Sequence, residues 1–125
     1  MNKPFSFTGR IRSFKYAFAG IWTMLKSQRN AWIHLFATIC VVTAGFIFGI
    51  STAEWCWLIL AIIAVWMAEA LNTAFELLAD VASPEYHPLV KQAKDVAAGA
   101  VLISAIGAII IGIIVLGPHI ILLFK

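Results

Sequence analysis

Charge is scarce in this 125-residue chain, which has nine lysines and arginines, six aspartates and glutamates, and 62% hydrophobic residues. A soluble domain of this size needs far more polar surface, so a soluble globular protein is excluded and an integral membrane protein is expected. Cysteine is nearly absent as well. Cys40 and Cys56 stand far apart, within or beside apolar segments and without metal-ligand spacing, so both read as small core residues rather than metal ligands. His34, His87 and His119 also lack any local metal spacing. The net charge of +3 comes from a few basic residues clustered near the expected membrane surface. That distribution favours anionic lipid headgroups or phosphate over nucleic acid as partners. The N-terminal segment is too polar for a secretory signal and no small-residue cleavage site follows it, so no processing is expected.

What is present is long apolar runs. Residues 31–50, 55–79 and 96–124 are each long enough to cross a hydrocarbon layer, which takes about 20 helical residues. The expected fold is an all-α membrane protein formed by one domain over 1–125, with an N-terminal surface helix within 1–30 and three transmembrane helices. The connection between the first two spans carries Ser51, Thr52 and Glu54 and no lysine or arginine. Lys3, Arg10, Arg12, Lys15, Lys26 and Arg29 precede the first span, and Lys91 lies in the second connection beside Pro84 and Pro88. The positive-inside rule therefore predicts a multi-pass protein with the N-terminus and the second connection cytoplasmic and only Lys125 basic at the opposite end.

Phe7, Ile11, Phe14, Phe18, Ile21 and Leu25 recur every three or four residues, while Arg12, Tyr16, Thr23 and Ser27 fall on the other side. This pattern predicts an amphipathic helix lying in the membrane interface. In the third span Ala100, Ser104, Ala108 and Gly112 form a small-residue ridge that would permit close helix contact.

The second span holds the candidate chemistry. Glu69, Asn72, Thr73, Glu76 and Asp80 sit at i, i+3, i+4, i+7 and i+11, which places all five on one helix face. Asp80 is expected at the membrane edge, with Glu69 about 16 Å deeper along the axis. A carboxylate at that depth is costly unless it faces protein or water, so it marks a functional site. Lys94 and Asp95 are expected to open the third helix, where a helix N-terminus beside a lysine offers an anion site. Carboxylates suited to Mg²⁺, an amide, a lysine and a helix N-terminus are the parts needed to move a phosphoryl group from a nucleotide to a lipid hydroxyl. A proton- or cation-translocating helix would use the same stripe, as would a non-catalytic relative that kept it, and composition alone leaves these readings open. For Lys94 and Asp95 there is also a plainer reading, as a membrane-surface anchor and a residue favoured near a helix start.

The run Glu69-Ala-Leu-Asn72-Thr-Ala-Phe-Glu76-Leu-Leu-Ala-Asp80, then Glu85-Tyr86-His87, then Ala93-Lys94-Asp95-Val-Ala-Ala-Gly-Ala-Val strongly resembles the bacterial integral-membrane diacylglycerol kinase family, which includes undecaprenol kinases. The resemblance spans nearly the whole chain, taking in Tyr16-Ala-Phe-Ala-Gly20 and Arg29-Asn30 with His34. It implies an ATP-dependent lipid kinase in which Glu69 is the general base, Asn72 orients the reacting groups and Glu76 binds the metal of Mg-ATP. It further implies that Tyr16, Asp80, Lys94 and Asp95 serve the nucleotide, that homotrimers share active sites between subunits, and that the protein lies in the bacterial inner membrane. The family uses no GxxxxGK[ST] loop, so the lack of one here carries no weight. One position departs from the pattern. Gln28 stands where the family usually has a glutamate that is a second metal ligand, and an amide, which brings no charge, should hold Mg²⁺ more weakly. Arg29-Asn30 with His34, the Glu54-Trp55 turn and the Gly117-Pro118 ending resemble the undecaprenol kinase branch more than the enterobacterial one.

Overall fold

The computed structural model describes residues 4–125 as four helices: α1 Phe7–Ser27, α2 Arg29–Phe48, α3 Thr52–Ala82 and α4 Pro88–Leu123. There is no strand among the described residues. Lys3, one of the basic residues of the N-terminal arm, lies outside them. The all-helical reading holds, and α2, α3 and α4 are each long and apolar enough to cross a membrane. A helix satisfies its own backbone polar groups, which is what a span in hydrocarbon requires.

Ser6 caps α1, its hydroxyl accepting from the Gly9 amide at 3.2 Å, and a cap of this kind contributes about 1 kcal/mol. The row Phe7, Ile11, Phe14, Phe18 and Ile21 remains exposed on the single chain, as a helix resting its apolar face among acyl chains requires. Only the last turn of α1 enters the bundle, where Met24 is buried. One extended residue, Gln28, separates α1 from α2. That break turns the chain from the surface into the first span and leaves the Gln28 side chain at the mouth of the bundle.

At the other end Gly49 closes α2 in the left-handed conformation, φ +58°, which glycine adopts without a side-chain penalty. Ser51 then caps α3 in a reciprocal capping box with Glu54. The turn is tight because Gly45 passes against the Trp55 ring, where a Cβ would lie 2.6 Å from a ring carbon.

α3 and α4 pack along much of their length, with α2 leaning on α3. The buried face of α3 runs Leu58, Ala61, Val65, Glu69, Asn72, Thr73 and Ala79, so a single helical stripe passes from apolar to polar as it nears the α1 end. At 31 and 36 residues these helices are about 46 and 54 Å long, against a hydrocarbon layer of about 30 Å, so their ends project from it.

Two expectations change. Lys94 and Asp95 do not open α4, which begins at Pro88 with His87 as its cap, the ring Nδ1 accepting from the Leu89 amide at 3.2 Å. Proline at the first helical position fixes the start there, whereas hydropathy registers only the part of the helix inside the hydrocarbon. The anion site expected at a helix N-terminus beside Lys94 is therefore absent. The small-residue ridge of α4 also plays a different part: Ala108 and Gly112 help to line an apolar cavity of about 300 Å³ between α2, α3 and α4, and Ala100 is exposed. Small side chains there leave room rather than closing it.

Candidate active site

Three polar layers lie along α3, graded by depth. The outermost joins α3 to α4. Lys94 Nζ lies 3.1 Å from Asp80 Oδ1, with the Asp80 side chain 67% exposed. Asp95 faces its own helix instead, bonded to Lys91 Nζ at 2.7 Å. Asp80, Lys91 and Lys94 share a cleft of about 230 Å³ with Glu85, Tyr86 and His87 from the connecting loop. Two lysines and two carboxylates, Asp80 and Glu85, line this cleft, so an anion entering it would have to displace Asp80 from Lys94.

The middle layer centres on Glu76, which is half-buried. Gln28 Nε2 donates to Glu76 Oε2 at 2.7 Å, and Asn72 Nδ2 donates to Glu76 Oε1 at 3.3 Å. Both carboxylate oxygens are thus capped by amides, one from the α1–α2 break and one from a turn earlier on α3. Asn72 Oδ1 is buried with no partner.

Glu69 forms the innermost layer and has no exposed surface. Thr73 bonds its backbone carbonyl at 2.8 Å, but neither carboxylate oxygen has a hydrogen-bond partner. His34 Nε2 stands 3.3 Å from Glu69 Oε2, an ion-pair distance at which the angles make no hydrogen bond. His34 also lines the apolar cavity, at the end of it nearest the polar layers. Glu69 does not itself line that cavity, but His34, 3.3 Å from it, does, and a buried carboxylate can accept a proton from a hydroxyl that reaches it.

Tyr16 is not part of this ladder in the single chain. It is exposed on α1, beside a separate cleft with Thr8, Ile11, Arg12 and Lys15.

The profile of the prokaryotic diacylglycerol kinase family matches residues 15–116, which contain every layer just described. The chain belongs to that family. Membership makes it a membrane lipid kinase and sets aside the ion-translocating alternative. Among its relatives, an undecaprenol kinase of Bacillus subtilis is 39% identical over 107 residues, covering 86% of this chain and 87% of that protein. A diacylglycerol kinase of Synechocystis is 43% identical over 101 residues, covering 80% of this chain and 58% of that protein. The Escherichia coli K12 diacylglycerol kinase is 32% identical over 126 residues, covering 94% and 97%.

The family pattern points to Glu69, Asn72, Glu76, Gln28, Asp80 and Lys94, and the helices bring these into three adjoining layers. It includes His34 with Arg29-Asn30 but gives it no role. The signal lies in the register. Once Gln28 faces Glu76 across antiparallel helices, moving six residues on from Gln28 and seven back from Glu76 puts His34 and Glu69 at one depth, about 10 Å further in.

Proposed function

We propose that this chain transfers the γ-phosphate of ATP to the hydroxyl of a membrane lipid alcohol, with undecaprenol the preferred acceptor. The grading of the three layers carries this reading. A nucleotide is charged and approaches from water, whereas the acceptor hydroxyl hangs at the end of an apolar chain. The ladder from exposed Asp80–Lys94 to fully buried Glu69 suits those two approaches along one helix face.

In this scheme Glu69 takes the proton from the lipid hydroxyl, the freed oxygen bonds to the γ-phosphorus, and the bond from that phosphorus to ADP breaks. Lys94, released from Asp80, offsets charge on the phosphates, and Asp95 holds Lys91, which lines the same cleft. Glu76, Asn72 and Gln28 supply one carboxylate and two amides, a donor set that fits Mg²⁺, which prefers few protein oxygens together with phosphate and water. Bound there, Mg²⁺ would neutralise phosphate charge. The Gln28 amide donates N–H to Glu76, so offering its oxygen to a cation requires that amide to rotate.

A homotrimer with shared sites belongs to the same reading. Tyr16 stands apart from the Asp80–Lys94 cleft on its own chain, and long apolar rows of α2 and α4 are exposed, including Phe36, Phe46, Ile103 and Ile110. A neighbouring copy could cover those faces and present its Tyr16 to this cleft. The basic residues of α1, Lys91 and Lys94 gather at one end, which favours a cytoplasmic N-terminus in the bacterial inner membrane.

Support for undecaprenol comes from the Arg29-Asn30 with His34, Glu54-Trp55 and Gly117-Pro118 features; identity does not separate the acceptors, since the undecaprenol kinase at 39% lies between diacylglycerol kinases at 43% and 32%. The test is transfer of labelled γ-phosphate from ATP by purified protein to undecaprenol and to diacylglycerol in parallel. Faster labelling of undecaprenol is expected. Equal or faster labelling of diacylglycerol overturns the acceptor preference, and no label in either lipid overturns the kinase scheme.

A further inference from the structure

Glu69 and His34 are the most deeply placed ionisable pair in the bundle, and their geometry is unusual for a structural contact. Both Glu69 carboxylate oxygens and His34 Nε2 are buried without a hydrogen bond, although Nε2 and Oε2 are only 3.3 Å apart. Buried polar groups are nearly always satisfied, and those left unsatisfied are commonly held ready for chemistry. The imidazole is also braced. Trp66 Nε1 donates to Thr38 Oγ1 at 3.0 Å, Thr38 donates to the His34 carbonyl at 2.7 Å, and the Trp66 ring meets the His34 ring edge-on at 6.3 Å. The hydrogen bonds fix the His34 backbone and the Trp66 edge limits its ring, leaving Nε2 a small reorientation from a hydrogen bond to Glu69.

We infer that His34 is a positioning residue for Glu69, donating Nε2–H to Oε2 so that Oε1 is the oxygen turned toward the acceptor hydroxyl. This rests on Glu69 being the base in the scheme above. The proton balance is simple. The lipid O–H proton passes to Glu69 Oε1 as the lipid oxygen bonds to the γ-phosphorus and ADP departs, while the Nε2–H bond stays intact and fixes the carboxyl throughout. Hydrogen bonds of this kind are often long or poorly aligned before substrate binds and tighten when it does, which accounts for a 3.3 Å contact with imperfect angles. His34 also forms part of the cavity wall, so a chain entering the cavity would press on the ring that aligns the base.

Kinetics of the assembled protein test the inference. His34→Ala should lower kcat about 10²-fold while KM for ATP and for lipid change less than about threefold, because alignment of the base matters in the transition state and not in binding. His34→Gln, which can place an N–H near the same point, should keep more activity than His34→Ala. Added imidazole should restore part of the His34→Ala loss, since the deleted ring leaves a space continuous with the existing cavity. The double variant His34→Ala/Glu69→Gln should be no slower than Glu69→Gln alone, because residues acting as a unit are not additive.

Normal kcat in His34→Ala, or losses that multiply in the double variant, would overturn the pairing. If His34→Ala does not assemble, the cycle is run with His34→Gln, where multiplying losses overturn the pairing in the same way. Failure of the underlying scheme looks different: Glu69→Gln would itself turn over normally.

Discussion

Two carboxylate–histidine pairs lie along α3, Glu54–His119 at its first turn and Glu69–His34 near its middle, and they differ in their surroundings. At the far end Glu54 is fully engaged: its carboxylate accepts from the Ser51 amide at 3.1 Å and meets His119 Nε2 at 3.0 Å. Phe48 stacks on the His119 ring at 5.7 Å, and Pro118 stands beside it in α4. In the inner half Glu69 meets His34 with no hydrogen bond at all and no exposed surface. The first pair ties a turn to a helix. The second leaves a buried carboxylate uncompensated, a cost that folding alone gives no reason to bear. The first pair thus has a structural reason in the fold, and the second fits the base of the proposed scheme.

The same substitution at both pairs sharpens this contrast most. Glu69→Gln should cut turnover by about 10²-fold or more, with ATP affinity little changed, because it removes the proton acceptor and keeps the shape. Glu54→Gln should leave turnover within about twofold of the parent, since that carboxylate touches nothing in the three layers. Thermal unfolding should rank them the other way. A neutral amide is cheaper to bury than an unpaired carboxylate, so Glu69→Gln should unfold no earlier than the parent, whereas Glu54→Gln should unfold earlier. Near-normal turnover in Glu69→Gln would remove the base assignment and the contrast with it.

Much of this is readable in the chain. Hydrocarbon admits only self-satisfied backbone, so apolar runs of the right length have to become helices, and the 3.6-residue period puts Glu69, Asn72, Thr73 and Glu76 on one buried stripe. What stays hidden depends on pairing between helices. His34 and Glu69 are 35 positions apart and His119 and Glu54 are 65 apart, distances at which local pattern says nothing. Hydropathy places the start of α4 at Lys94 because it follows the membrane and not the helix, and about two turns of α4 project beyond the hydrocarbon.

The middle layer lies between these extremes, being satisfied and yet part of the site. Gln28 and Asn72 cap Glu76 with amide N–H groups, so Glu76 should be only moderately effective as a ligand for a hard cation. Gln28→Glu replaces a donor with a second carboxylate and should lower the Mg²⁺ needed for half-maximal activity, by roughly threefold to tenfold, as expected when a charged oxygen replaces a neutral group. Titrating activity against Mg²⁺ for both forms decides the point. If the glutamate variant needs the same amount of metal or more, residue 28 serves Glu76 as a structural cap, and the middle layer then resembles the Glu54 end more than the Glu69 end.

The smallest effect expected concerns the far pair and pH. Glu54 lies in the first turn of α3, ahead of the apolar run 55–79, where the Ser51 backbone N–H first, and His119 second, hold its carboxyl below the ordinary value of 4.5. A carboxyl lowered in the folded state adds stability that is fully present above its unfolded value and is lost as pH falls through its folded value. Glu54→Gln keeps the capping-box oxygen and removes only the charge. The difference in unfolding temperature between parent and Glu54→Gln should therefore be small, constant above about pH 5, and should shrink as pH falls below 4.5. A gap that stays constant or widens in acid would mean the ionised carboxylate contributes nothing to the fold. The far end would then be held by Gly45 against Trp55 and by Phe48 on His119 alone, and its Glu54–His119 contact would stabilise the fold no more than the unaligned pair at Glu69.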